Sequence, residues 1–145
     1  MIHYVNGFLF DEKCAWVVLL KKNRPDWQAG FLNGVGGKAE ESEYFIDAMA
    51  RESFEEIGVV PEWQYFISMK TTTWAVHFFA AKDQQRFDLA EQRTDEEVVR
   101  SLVQNIQTTN TLPCLRFLVP MAAYILTMKF SDPEKLCIGM HDARA

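Results

Sequence analysis

Between Phe31 and Lys38 the chain places Gly34, Gly36 and Gly37, and a helical pattern with an acidic face follows at once. No other segment constrains the fold so narrowly. Glycines at this density belong where the backbone bends unusually or comes close to another group. From Ser42 to Ile57, residues Ile46, Ala50, Ser53, Phe54 and Ile57 fall on one stripe at the helical period. This predicts an amphipathic helix with that stripe in the core. Ser42 is the expected N-cap and Gly58 the expected C-cap, with Pro61 beyond to stop the helix. Glu52, Glu55 and Glu56 stand at i, i+3 and i+4, which gathers their carboxylates on one side of one turn, roughly opposite the apolar stripe.

The flanks read as strands. Tyr4–Phe10 and Ala15–Leu20 are rich in β-formers and are separated by Asp11-Glu12-Lys13. Lys22–Gly30 reads as a loop. Past the helix, Glu62–Met69, Trp74–Ala81 and Glu97–Val103 read as strands, and Lys82–Thr94 as a polar loop. Leu112–Lys129 reads as a helix with Pro113 in its first turn and Pro120 inside, which implies a kink or break. Strands on both sides of a central helix, with another helix late, predict an α/β fold with a mixed sheet between helices.

A length of 145 residues predicts a single domain, 1–145, and 48% hydrophobic residues suffice for a core. The net charge of −5, from 15 basic and 20 acidic residues, argues against nucleic acid as a partner but not against phosphorylated small molecules reached through cations. Cys14, Cys114 and Cys137 are scattered and odd in number, so they read as reduced, mostly buried thiols. The N-terminus resembles no signal peptide. The longest apolar stretch, Phe117–Met128, is interrupted by Pro120 and too short to span a bilayer. A soluble, cytoplasmic protein with no membrane partner is expected, with nothing to specify an oligomeric state. The tail after Phe130 carries no clear pattern.

Three like charges on one helical turn are tolerable in water, or favourable around a divalent cation. Mg²⁺ takes oxygen ligands and shares them with phosphates. Glycine backbone beside such a helix can approach a metal or phosphate closely. No Gly-Lys-Ser/Thr opens the helix, so this is not a Walker loop. Spacing alone leaves a solvated surface and a metal site both open.

The run Gly37, Glu43, Arg51-Glu52 and Ser53-Phe54-Glu55-Glu56-Ile57-Gly58-Val59 resembles the Nudix box, Gly-x5-Glu-x7-Arg-Glu-U-x-Glu-Glu-x-Gly-U, where U is a bulky aliphatic residue. Every charged and glycine position matches. Ser53 alone departs from the pattern, on the apolar side, where it implies a small void or a hydroxyl bonded back along the helix. The resemblance extends upstream through Trp27–Lys38. It implies a Nudix-like α/β/α sandwich and a hydrolase that uses Mg²⁺, with Mn²⁺ as substitute, on a phosphoanhydride bond. It implies that Glu52, Glu55 and Glu56 hold metal with help from the Gly37 carbonyl, and that Arg51 and Glu43 orient them. A further carboxylate, Glu96 or Glu97, is expected from the late loop, and a glutamate of the helix or loop as the base. Asn33, Gly36, Gly37 and Lys38 are the expected contacts to cofactor and substrate.

The box leaves the substrate open. Asn33 matches an asparagine that some purine-sanitising members set against the base, but their Trp-Pro-Asp-Asp run is Leu112-Pro113-Cys114-Leu115 here. Asn110 or Arg116 would have to substitute. Phe78, Phe117 and Trp74 are stacking candidates, each expected in the core instead. His77 is expected to be structural. The proline, tyrosine and Ser-Gln-Pro-Trp-type markers of the ADP-ribose, dinucleoside polyphosphate and NADH hydrolases are absent. A nucleoside triphosphate leads, with a non-catalytic nucleotide sensor as the alternative.

Overall fold

The computed structural model describes residues 1–128. Cys137, Lys129 and the tail lie outside them. The first strand, β1 (Ile2–Phe10), sits at the centre of the architecture. It runs parallel to β6 (Trp74–Lys82), with Ile2 opposite Trp74 and Phe10 opposite Lys82. Its other pairings split. Leu9 and Phe10 pair antiparallel with β2 (Trp16–Lys21). Tyr4 to Gly7 pair antiparallel with β4 (Val35–Lys38). Beyond these lie β3 (Leu32–Asn33) and β7 (Glu97–Leu102) on β2, and β5 (Gln64–Lys70) on β6. The glycine-rich segment therefore forms two short strands, Leu32–Asn33 and Val35–Lys38, on either side of Gly34.

Alternation along β1 explains why its sequence is apolar nearly throughout. Side chains of a strand point to opposite faces in turn, and a strand covered on both faces needs both sets apolar. Phe8 and Phe10 join one core with Leu19, Phe78 and the helix α3 (Leu115–Thr127). Val5 and Leu9 join the other with Phe79, Trp63 and the helix α1 (Phe45–Ile57). The mixed sheet thus lies between helices, as expected. Asn6 is the polar exception on the α3 face of β1 and is only 8% exposed.

Helix α1 differs in face and start. Ile46 and Phe54 are 46% and 61% exposed, while Ala48, Met49, Ser53 and Ile57 are buried. The buried line keeps Ser53 and Ile57 of the expected stripe but turns at its other positions, because Met49 and Ala48, rather than the larger Ile46 and Phe54, meet the core beneath. Ser42 is not the cap. It adopts a left-handed φ of 64°, and Tyr44 precedes the first turn without a side-chain cap. Gly58 does end the helix, at φ 75°. Ser53 Oγ donates to Val59 O at 2.5 Å, so the hydroxyl ties the helix to the chain beyond its cap rather than back along the helix. Ser53→Ala is expected to cost about 1 kcal/mol, seen by calorimetry as a fall of roughly 3 °C in Tm. An unchanged Tm would mean that this bond contributes nothing.

Two other expectations change. The polar loop contains a short helix, α2 (Gln84–Leu89), started by the Asp83 side chain accepting from Arg86 N, and it buries Phe87. Pro120 does not break α3. The Arg116 carbonyl, which Pro120 deprives of its i+4 donor, accepts from the Gln107 side-chain amide at 2.6 Å. Among the described residues no helix is long and apolar enough to cross a membrane. Cys14 is buried, which pushes its thiol up to about 11, and Cys114 is half-buried.

Candidate functional site

The α1 helix lies against β4, and this contact builds the acidic site. Glu52 and Glu56 are one turn apart and flank the buried line, so both turn toward the glycine strand. Glu55 points outward, its side chain 54% exposed. The three carboxylates therefore do not share one face opposite the core. Gly37 leaves room for Glu52: a Cβ there would stand 2.5 Å from Glu52 Oε1. Glu56 accepts from the Gly36 N–H at 3.1 Å.

Arg51 holds the acidic end together. Its Nε and Nη2 donate to the two Glu43 oxygens at 2.9 and 3.1 Å, a bidentate pair. Its Nη1 donates to Glu52 at 3.0 Å and reaches Glu55 at 3.5 Å, and Nη2 also reaches the Lys38 carbonyl at 3.2 Å. Lys38 thus meets the site through its backbone, its side chain being exposed. The guanidinium holds the Glu43 carboxyl below the usual range.

Of the two late glutamates, Glu96 is 5% exposed and Glu97 is exposed on β7, opposite Lys21. Glu96 accepts from Lys22 Nζ at 2.8 Å and from Asn23 N at 2.7 Å. Lys22, which the sequence left in a loop, is thereby drawn to the site. Burial pushes the Glu56 carboxyl up to about 8; the Gly36 N–H and Lys22 lower it, and Glu52 and Glu96 raise it further. Burial also raises Glu52 above its ordinary value, against the pull of Arg51.

Among the described residues no three acidic or imidazole groups converge on one point. Each glutamate instead turns to its own donor: Glu52 to Arg51, Glu56 to Gly36 N, Glu96 to Lys22. The donor set nevertheless fits a hard divalent cation. It offers carboxylate oxygens beside backbone, and burial holds two of them, Glu52 and Glu56, above their ordinary values, which added positive charge would relieve.

A cavity of about 540 Å³ opens beside this centre, bounded at one part by Gly36 and Gly37. Lys22 and Arg24 supply its positive charge, and Trp27, Trp74 and Phe78 its aromatic surface. Phe78 is core at 3% exposure, but Trp74 at 38% and Phe117 at 55% are not, and Phe117 lies away from the cavity. Asn33 lines it, while Asn110 and Arg116 do not. His77 is buried, 3.0 Å from His3 Nδ1 and stacked on Phe45. Burial, His3 and Lys70 hold its imidazole below the ordinary value. It is part of the packing at the start of α1. Asn6 and Gln28 also line the cavity and escaped the sequence reading. Asn6 could have been found as the lone polar side chain in the run Val5–Phe10.

A family model described as NUDIX domain matches residues 3–109. No curated protein matches the chain significantly. Among solved structures, a MutT protein from work on the psychrophilic fish pathogen Aliivibrio salmonicida and the mesophile Vibrio cholerae is similar, with 24% identity over 85% of this chain and 97% of that one, at a TM-score of 0.70. The E. coli ORF135 protein has 18% identity over 91% and 95%, at 0.69. The NUDIX domain of Shewanella oneidensis NrtR, complexed with ADP ribose, has 15% identity over 88% and 89%, at 0.70. These likenesses bear on the fold.

Proposed function

The chain belongs to the NUDIX domain family, and on that premise we propose that it is a Mg²⁺-dependent pyrophosphohydrolase acting on a nucleoside triphosphate. One observation carries the reading: Glu52 lies against Gly37, Glu56 accepts from Gly36 with Glu96 near it, and the same two glycines bound a cavity with cationic and aromatic walls. Glu52, Glu55 and Glu56 are the proposed metal ligands, with the Gly37 carbonyl beside them. Glu96, rather than Glu97, is the proposed fourth carboxylate, because it alone is buried next to Glu56. A bound Mg²⁺ would neutralise charge on phosphoryl oxygens and acidify a water.

The protein's own groups do the rest. Arg51 and Glu43 hold Glu52 in place through charge-assisted hydrogen bonds. A glutamate of the helix or of the late loop would take the proton of the attacking water. Lys22 and Arg24 meet the polyphosphate, and the apolar cavity takes the base. A cytoplasmic location is consistent with the free thiols.

The test is phosphate and pyrophosphate release across (d)NTPs, ADP-ribose, NADH and dinucleoside polyphosphates, with and without Mg²⁺. Turnover of triphosphates that requires the metal is expected. Measurable Mg²⁺ and nucleotide binding without turnover of any of them would leave a binding module instead.

A further inference from the structure

The polar wall of the cavity is a chain of neutral amides whose polarity is fixed from the backbone. Gly34 N–H donates to Asn33 Oδ1 at 2.8 Å, which identifies that end of the amide as the oxygen. Asn6 therefore approaches it with nitrogen, and Nδ2 donates at 2.8 Å. Asn33 Nδ2 is left to donate to Gln28 Oε1 at 3.3 Å. The last amide in the series, Gln28, keeps Nε2 without a partner among the described residues, and one Asn33 Nδ2 hydrogen is also unclaimed. Among the described residues no carboxylate side chain lines the cavity. Its side-chain wall thus offers donors.

Asn6 is an expensive way to build such a wall. It is 8% exposed, and its Oδ1 is sealed in the space that Gly34 leaves for want of a side chain, with no hydrogen-bond partner. An apolar residue would avoid the penalty of a buried unsatisfied acceptor. What the amide supplies in return is the second donor to Asn33 Oδ1.

We propose that Asn6 is a positioning residue that locks the Asn33–Gln28 relay with its N–H groups toward the cavity, so that the site selects bases presenting a carbonyl oxygen over bases presenting an exocyclic amino group. The proposal rests on the nucleotide reading above. A keto oxygen accepts from this wall, whereas an amino group meets it donor to donor.

The experiment compares binding of inosine with adenosine 5′-monophosphate, and uridine with cytidine 5′-monophosphate, by calorimetry in Mg²⁺. The keto member of at least one pair is expected to bind roughly tenfold tighter. Gln28→Glu, which replaces the outer donor with an acceptor, is expected to abolish or invert that preference. Asn6→Leu is expected to cut it about fivefold, with the triphosphate KM ratio shifting in parallel and kcat holding. Equal binding in both pairs, or a preference that Gln28→Glu leaves intact, overturns the relay. A preference untouched by Asn6→Leu overturns the role of Asn6. These readings need no turnover. A chain that prefers keto bases but hydrolyses nothing defeats the hydrolase reading alone, and one that hydrolyses keto and amino triphosphates equally defeats the relay alone.

Discussion

Glu56→Gln is expected to lower turnover about a thousandfold while leaving the fold intact. Glutamine matches glutamate in size and can still accept the Gly36 N–H that Glu56 accepts at 3.1 Å. What it removes is the charge. The same variant reports on the electrostatics of the resting site. Glu56 is raised from 4.5 in the unfolded chain to about 8 in the folded one. A proton on Glu56 therefore favours the folded state. That contribution is whole below pH 4.5 and is lost as pH rises through about 8. In chelator, the wild type should lose on the order of 3 kcal/mol across this window, a figure reduced to allow for partial solvent access. Glu56→Gln has no proton to lose there and should show a flatter curve. Added Mg²⁺ should restore the wild type at the alkaline end and do little for the variant. Denaturant melts at several pH values, with and without metal, test this. Parallel curves for the two proteins, or near-normal turnover in a folded variant, would sink the assignment.

The second large effect separates two neighbouring glycines. At Gly37 a Cβ meets only the far end of a flexible side chain, the Glu52 carboxylate. That group can swing away, so Gly37→Ala should fold with little loss of stability. The carboxylate must retreat by about 1 Å, and a displacement of that order at a reacting centre costs roughly 10²-fold in rate. At Gly36 the Cβ would meet the Val5 backbone, within the β1–β4 ladder. Gly36→Ala should therefore fail by unfolding, and Gly37→Ala by losing activity. Thermal melts and steady-state rates on both variants distinguish the cases. A Gly37→Ala protein that retains full kcat would show that Glu52 need not sit where it does.

The sequence spoke clearly wherever function depends on fixed spacing. Gly37, Glu43, Arg51, Glu52 and Glu56 lie in one continuous segment, and the helix that joins them has a fixed pitch. It was silent where function depends on burial. Glu96 and Glu97 are adjacent and chemically identical. Only the start of β7 decides that one turns in to Lys22 and the other out to water. The inward face of α1 departs in part from the apolar stripe for a related reason. Ile46 and Phe54 are more hydrophobic than Ala48 and Met49, but the sheet beneath accepts a line that includes Ser53 and leaves both large residues in solvent. Hydrophobicity gave the period, and packing chose the phase. Asn6 stands far from the box in sequence, and the pairing of β1 with β4 brings it near Asn33 and so to Gln28 in the flank just before the box.

The parallel pairing of β1 with β6 has a consequence for how this chain is made. Ile2 waits for Trp74, 72 residues later, before it has its neighbour. A ribosome releases the apolar run Val5–Phe10 well before its parallel partner, which is complete only at Lys82. Until then the strand that becomes the middle of the sheet is an open edge, able to pair with any other exposed strand it meets. Closing so long a loop is also entropically slow. The strand at the centre of the sheet thus keeps one edge unpaired until Trp74–Lys82 has been made.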